Sequence, residues 1–129
     1  MTVQRISSAS PYEPRFGYCR ALRVGSVVHV AGTAPIGPDG KSFAPGDVAA
    51  QTRRCFQVAS EALEALGADL SHVVRTRMFL TDIEDWEAVG AVHGEVFGNH
   101  PPVATMLAVA RLIDPDWKIE VELEALLPQ

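Results

Sequence analysis

The sequence predicts an α+β fold in which helices lie on one face of a mixed sheet. Three observations carry that expectation. Two stretches place apolar residues at helical spacing, short runs rich in β-branched residues surround them, and the last segment, Ile119-Glu120-Val121-Glu122-Leu123-Glu124, alternates strictly between apolar and charged. A chain of 129 residues with 47% hydrophobic content is about the size of one domain and can build one core, so residues 1–129 are read as a single unit.

Residues 20–23 and 27–31 are short β-rich runs separated by Gly25-Ser26, a spacing that suits a hairpin with glycine supplying the positive φ. Gly32 closes the second run. Residues 33–45 contain Pro35, Gly37-Pro38-Asp39-Gly40 and Pro45, and such a density of breakers predicts a loop that borders a site. Asp47 is a good N-cap. Behind it Val48, Thr52, Cys55, Phe56, Ala59, Leu63 and Leu66 recur at spacings of three and four, up to a stop at Gly67. Residues 73–80 read as a strand. Thr81-Asp82-Ile83-Glu84 then offers a capping signal for a second helix, with Trp86, Val89, His93, Val96 and Phe97 near one face and Gly98 at its end. Strands over 104–112 and 118–126 complete an order βββαβαββ. Two helices cover one face of such a sheet, so its other face calls for another subunit.

The formal net charge of −5 gives no general attraction to phosphate backbones, so nucleic acid is not an expected partner, although a local basic patch would escape this count. Cys19 and Cys55 make no CxxC pair and no disulfide framework, and the first residues lack the basic and apolar regions of a secretory leader. With no apolar run approaching the roughly 18 residues of a membrane span, the expectation is a soluble protein of the cytoplasm. The four histidines show no HxxxH spacing, and no metal or cofactor is expected. Cys19 alternates with Tyr18 and points away from it, and Cys55 lies on the buried helical stripe, so neither reads as a nucleophile.

Several segments in the right order carry a resemblance. Pro101-Pro102-Val103-Ala104-Thr105-Met106, followed by Val109-Ala110-Arg111-Leu112 and the final alternating strand, resembles the C-terminal signature of the Rid family, also called RidA, YjgF or endoribonuclease L-PSP. Phe16-Gly17-Tyr18 looks like the family's Gly-Pro-Tyr entry, and Val30-Ala31-Gly32-Thr33-Ala34-Pro35 resembles its Ser-Gly-Gln-x-Pro strand end. Asp47-Val48-Ala49-Ala50-Gln51-Thr52 matches the start of its first helix, and residues 75–86 follow its strand, turn and second helix. The resemblance implies a chorismate-mutase-like fold: a mixed six-stranded sheet with two helices on one face, closed into a homotrimeric barrel with a cleft between each pair of subunits.

Carried over residue by residue, the resemblance places Tyr18, Gly32, Thr33 and Glu120 around the cleft, with Glu120 as the catalytic candidate. Three positions depart from the pattern. Ala104 stands where the family's deaminases carry an arginine, Gly90 where they carry an asparagine, and Met106 where a cysteine is common. The arginine forks the carboxylate of an imino or enamino acid, and a methyl group offers neither charge nor paired donors. Arg20 lies two residues beyond Tyr18 and would share its face in a strand. It either enters the cleft as a substitute cation or pairs with a carboxylate at an interface or on the surface. Arg75 and Arg77 are expected to pair across strands with the glutamates of the last strand.

Three functions follow. The first is a small-molecule-binding trimer, taking a carbonyl- or carboxylate-bearing metabolite between Tyr18, Arg20, Gly32, Thr33, Ala104, Met106 and Glu120, with 2-iminopropionate deaminase activity weak or absent. The second is a cofactor-independent hydrolase of other imines or enamines, in which Glu120 positions water. The third, implied by one family name, is a ribonuclease or translation inhibitor, and the acidic balance argues against it.

Overall fold

The computed structural model describes residues 2–8 and 10–128. Six strands form one mixed sheet: β1 (Val3–Ile6), β2 (Ala21–Val24), β3 (Val27–Thr33), β4 (Val73–Leu80), β5 (Val103–Ala108) and β6 (Ile119–Leu126), in the spatial order β1-β2-β3-β6-β4-β5. β4 and β5 are parallel and the other neighbours antiparallel. The helices are α1 (Tyr12–Phe16), α2 (Val48–Ala65) and α3 (Trp86–Phe97).

The alternation of β6 divides the sheet into two chemically different faces. Ile119, Val121, Leu123 and Ala125 are buried beneath α2 and α3 with Val28, Val30, Met78 and Leu80, while Glu120, Glu122 and Glu124 point to the other face. From the helices, Phe56, Leu63, Val89, Val92 and Phe97 fill the same core, and Phe56 meets Phe97 edge to face at 5.2 Å. Among the described residues no helix is long and apolar enough to cross a membrane.

The expected hairpin is present, with Gly25 at φ 59° between β2 and β3. Asp47 caps α2 by accepting from the Ala50 N–H at 3.0 Å. At the other end Gly67, at φ 83°, closes a Schellman turn: its N–H donates to Glu64 O and the Ala68 N–H to Leu63 O. The loop after β3 is not loose. Ile36 bridges Ser42, Arg54 Nε donates to Ile36 O at 2.6 Å, and Ser42 Oγ accepts from Trp117 Nε1 and donates to Asp114.

Four expectations need correction. A short helix, α1, stands between β1 and β2, because Pro11 and Gly17 bracket a stretch too brief for periodicity to reveal. Arg20 is not in a strand, since β2 begins at Ala21. The strand expected over 104–112 stops at Ala108, where pairing with β4 ends at Leu80. Trp86, expected on the apolar face of α3, is its first residue and 53% exposed, while Val92 takes a buried place.

Gln51 is the buried polar link between helix and sheet. Its Nε2 donates to Asp116 O and its Oε1 accepts from Lys118 N, both at 2.8 Å, and so fixes the start of β6 one residue before Ile119. Gln51→Leu should therefore lower stability by about 1–3 kcal/mol, because it strands two part-buried backbone groups. Denaturant melts of the two proteins check this, and equal midpoints would contradict it.

Candidate functional site

The site grows from an irregularity in the β3–β6 ladder. Val30 pairs with Leu123 and Thr33 with Val121, so the register shifts between them and Ala31 and Gly32 together oppose Glu122. The bulge brings Gly32 against the Glu120 carboxylate so closely that a Cβ at position 32 would collide with Glu120 Oε1. Glycine lets the carboxylate approach the backbone this closely.

Glu120 is half-buried, and desolvation pushes its carboxyl above the ordinary carboxylate range. The Arg20 guanidinium pulls it back down and the Glu122 carboxylate adds to the rise. Arg20 is held through its backbone, its N–H donating to Ile6 O and its carbonyl accepting from Ala31 N, both at 2.9 Å. Among the described residues its buried side-chain Nε has no hydrogen-bond partner. Tyr18 is exposed, and its N–H donates to Glu13 O at 3.1 Å.

The remaining named residues fall elsewhere or face inward. Thr33 is fully buried, and its hydroxyl donates to Ala31 O at 2.8 Å. Ala104 and Met106 pair in register with Thr76 and Met78, which puts both on the helix-bearing face of the edge strand β5. Glu120 points to the opposite face from β6, two strand spacings or roughly 10 Å away. Within one chain, therefore, Glu120, Gly32 and Arg20 form one group and Ala104 and Met106 another.

The open sheet face carries the expected ion-pair ladder. Arg77 Nη1 reaches Glu122 at 2.9 Å and Glu124 at 3.2 Å, and Arg75 Nε lies 3.9 Å from Glu124. Beside it, Cys19, Leu22, His29, Ala31 and Arg77 help line a hollow of about 250 Å³ that includes neither Glu120 nor Arg20. Exposed Val27, Val74, Val103, Leu107 and Leu126 lie on the same face.

His93 and Cys55 are taken up by the core. His93 Nε2 lies 2.8 Å from Thr76 Oγ1, its ring packs against Phe56 and Phe97, and burial lowers its pKa. Burial drives the Cys55 thiol upward. Among the described residues no three His, Cys, Asp or Glu gather as metal ligands.

Sequence reasoning missed Glu13, a carboxylate only 2% exposed on α1, whose backbone carbonyl accepts from Tyr18 N. The one available signal was Glu13 between Tyr12 and Pro14, shortly before the Gly17 turn, and it becomes informative only once α1 is known.

Gly32→Ala should leave the fold in place and move the Glu120 carboxylate, because the colliding atom ends a flexible side chain. Carboxyl NMR of Glu120 would show a changed titration midpoint, and an unchanged one would contradict the close approach. Glu120 also makes a pH prediction. Its folded pKa lies above the unfolded value, so wild-type stability falls as pH rises between them and the deficit persists above. Glu120→Gln should thus be more stable than wild type at neutral pH, with the advantage gone below about pH 4. Melts at both pH values test the sign.

The chain is similar to known proteins along nearly its whole length. The family model described as endoribonuclease L-PSP matches residues 8–127. A RutC family protein of Pyrococcus abyssi is 35% identical over 122 residues, covering 95% of each chain. The crystal structure of Rv2704 from Mycobacterium tuberculosis, a member of the YjgF/YER057c/UK114 family, superposes with a TM-score of 0.89 at 41% identity, covering 98% of this chain and 100% of that one. TdcF of Escherichia coli, solved with bound serine, superposes with a TM-score of 0.80 at 25% identity, covering 96% and 94%. With its sheet order, its two long helices on one face and these matches together, the chain belongs to the endoribonuclease L-PSP family, the Rid or YjgF family of the sequence resemblance.

Proposed function

We propose that the protein is a homotrimer that binds a small carbonyl- or carboxylate-bearing metabolite in clefts between its copies, with hydrolysis of 2-iminopropionate weak or absent. The observation that carries this reading is the separation of the candidate residues onto opposite faces of one sheet, with Glu120 and Arg20 on one side and Ala104 and Met106 on the other. A site using both groups requires a second copy. The five exposed apolar side chains beside the Arg–Glu ladder give that copy a surface to cover.

The chemistry of the Glu120 corner supports a polar ligand of modest size. A buried Nε–H on Arg20 lacks an acceptor, Glu120 can carry or release a proton, and Tyr18 presents an exposed phenol. The serine held by the Escherichia coli relative is a small carboxylate of this kind. Hydrolysis of an imine adds water to carbon and a proton to nitrogen, then expels ammonia as the C=O forms. Glu120 is suited to move that proton. What Ala104 withholds is the clamp, and a charge-assisted contact contributes a few kcal/mol, about a hundredfold or more in rate when expressed in the transition state.

A second reading, an imine or enamine hydrolase acting on a different substrate, draws on the same raised Glu120 carboxyl, with Arg20 as the substitute cation. A ribonuclease finds no support in a chain of net charge −5.

Two measurements test the proposal. Light scattering at micromolar concentration should report the mass of three chains, and a monomer would remove the clefts with it. Turnover of 2-iminopropionate should be at least about a hundredfold below that of an arginine-bearing deaminase of the family assayed alongside. Comparable rates would overturn the assignment.

A further inference from the structure

We infer that His93 belongs to the ligand site on the Ala104 side of the cleft, where its imidazolium form receives the anionic group that no guanidinium at position 104 is there to hold. The inference rests on the proposed cleft, and it supplies that side of the cleft with a cation.

The placement comes from the sheet register. Thr76 is directly opposite Ala104 in the parallel β4–β5 pair and opposite Leu123 in the antiparallel β4–β6 pair, so its side chain stands on the helix-bearing face beside the Ala104 methyl. His93 comes down from α3 onto the same spot, with its Nε2 2.8 Å from Thr76 Oγ1. Adjacent strands are about 5 Å apart. The tip of the imidazole therefore stands one strand away from Ala104.

The ring is gripped by the core but not covered. Phe56 meets it edge-on at 5.9 Å, and the Phe97 ring lies 4.7 Å away, centroid to centroid. Around it, three positions carry little or no side chain. A Cβ added at Gly90 or Gly94 would meet no atom within 4 Å, and Ala104 is exposed. Gly90 is three residues before His93, a spacing that makes the two neighbours on the helix surface. His93 is thus half-buried, although Thr76 beneath it is fully buried.

Its hydrogen bonding suits a change of charge. A threonine hydroxyl donates or accepts according to its rotation, so the contact with Nε2 survives protonation of the ring. Nδ1 has no hydrogen-bond partner among the described residues, and the protonated ring brings an N–H there that the fold does not use. No charged side chain competes for it. From α2 it meets Phe56, from α3 Phe97 and from β4 Thr76, and β5 places Ala104 and Met106 alongside. Arg75 and Arg77 serve the ladder on the other sheet face, and Arg53 and Glu95 pair with each other at 3.0 Å on the surface. Burial alone lowers the His93 pKa. The free protein holds the ring uncharged above neutral pH, and an anion beside it draws a proton onto it.

Ring NMR of the unliganded full-length protein tests the placement. Ala104→Asp sets a carboxylate one strand away and should raise the His93 midpoint by about half a pH unit or more, while Ala104→Asn should leave it in place. An unmoved midpoint in Ala104→Asp overturns the inference, and so does an equal rise in Ala104→Asn. Pyruvate tests the role. Its binding should raise the His93 midpoint by about one pH unit, so a proton is taken up on binding and affinity strengthens as pH falls. Between about pH 8 and about pH 5.5 the gain should reach up to about tenfold, the factor that one pH unit carries. His93→Gln keeps a polar partner for Thr76 without the charge. It should bind pyruvate like the wild type at pH 8 and lose the gain at low pH. Glu120 also titrates with a raised midpoint, and it is the same in both proteins, so the difference between them belongs to His93. The neutral analogue 2,3-butanedione should bind both proteins equally at each pH. Pyruvate bound with the His93 midpoint unmoved, or with the same pH dependence in His93→Gln, overturns the inference and leaves the proposed cleft standing. If pyruvate binds at neither pH, the ligand reading fails and this inference falls with it.

Discussion

Strand β6 depends on a period of two, and the molecule depends on β6. Four of its apolar residues, Ile119, Val121, Leu123 and Ala125, are buried under the helices, so the alternating glutamates cannot be anywhere except on the opposite face. A slip of one residue against β3 or β4 would bury three carboxylates and expose the centre of the core. The register is also fixed from outside the ladder by Gln51, which binds the chain on both sides of Trp117. Helix packing, the ion-pair ladder and the position of Glu120 are thus consequences of one alignment.

That alignment explains why Glu120 differs from the two glutamates after it. Glu122 and Glu124 face Arg77, and Arg75 reaches Glu124, so their charges are met at the surface of the sheet. Glu120 pairs with Phe79 on one side and lies over the bulge at Gly32 on the other. Its surroundings remove water faster than the Arg20 charge compensates, and its proton affinity rises. The same side chain repeated three times along a strand acquires different chemistry through its cross-strand neighbours.

The parts legible in the sequence were those whose signals are local. β4 was read to its observed ends, because Val73 to Leu80 is a continuous β-rich run after a helix stop. The Gly25-Ser26 hairpin and the α2 caps were legible for the same reason, and Arg75 and Arg77 could be paired with the last strand from parity. The close approach at Gly32 was not legible, since it requires a bulge that shifts β3 against β6. Nor was Glu13, whose partners lie five and six residues back across a turn. The end of β5 failed for a related reason: Val109 to Leu112 are apolar enough for a strand, but β4 has no further residues to pair with them.

The Glu120 corner departs from the consistency found elsewhere in the fold. Most buried polar groups here are satisfied by design of the local chain: Gln51 by two backbone groups, Thr52 by Val48 O, Thr33 by Ala31 O, and Glu13 by two serines. Arg20 Nε is buried with no hydrogen-bond partner among the described residues. A buried donor without an acceptor costs about 1–3 kcal/mol. The Arg20 backbone is held from both sides, by Ile6 O and Ala31 N. The fold thus maintains, at a cost in stability, an unsatisfied cationic donor next to a carboxylic acid of raised pKa. A fold that satisfies its buried polar groups through the local chain elsewhere departs from that consistency at the corner where the proposed cleft lies, and functional sites are where such costs are carried.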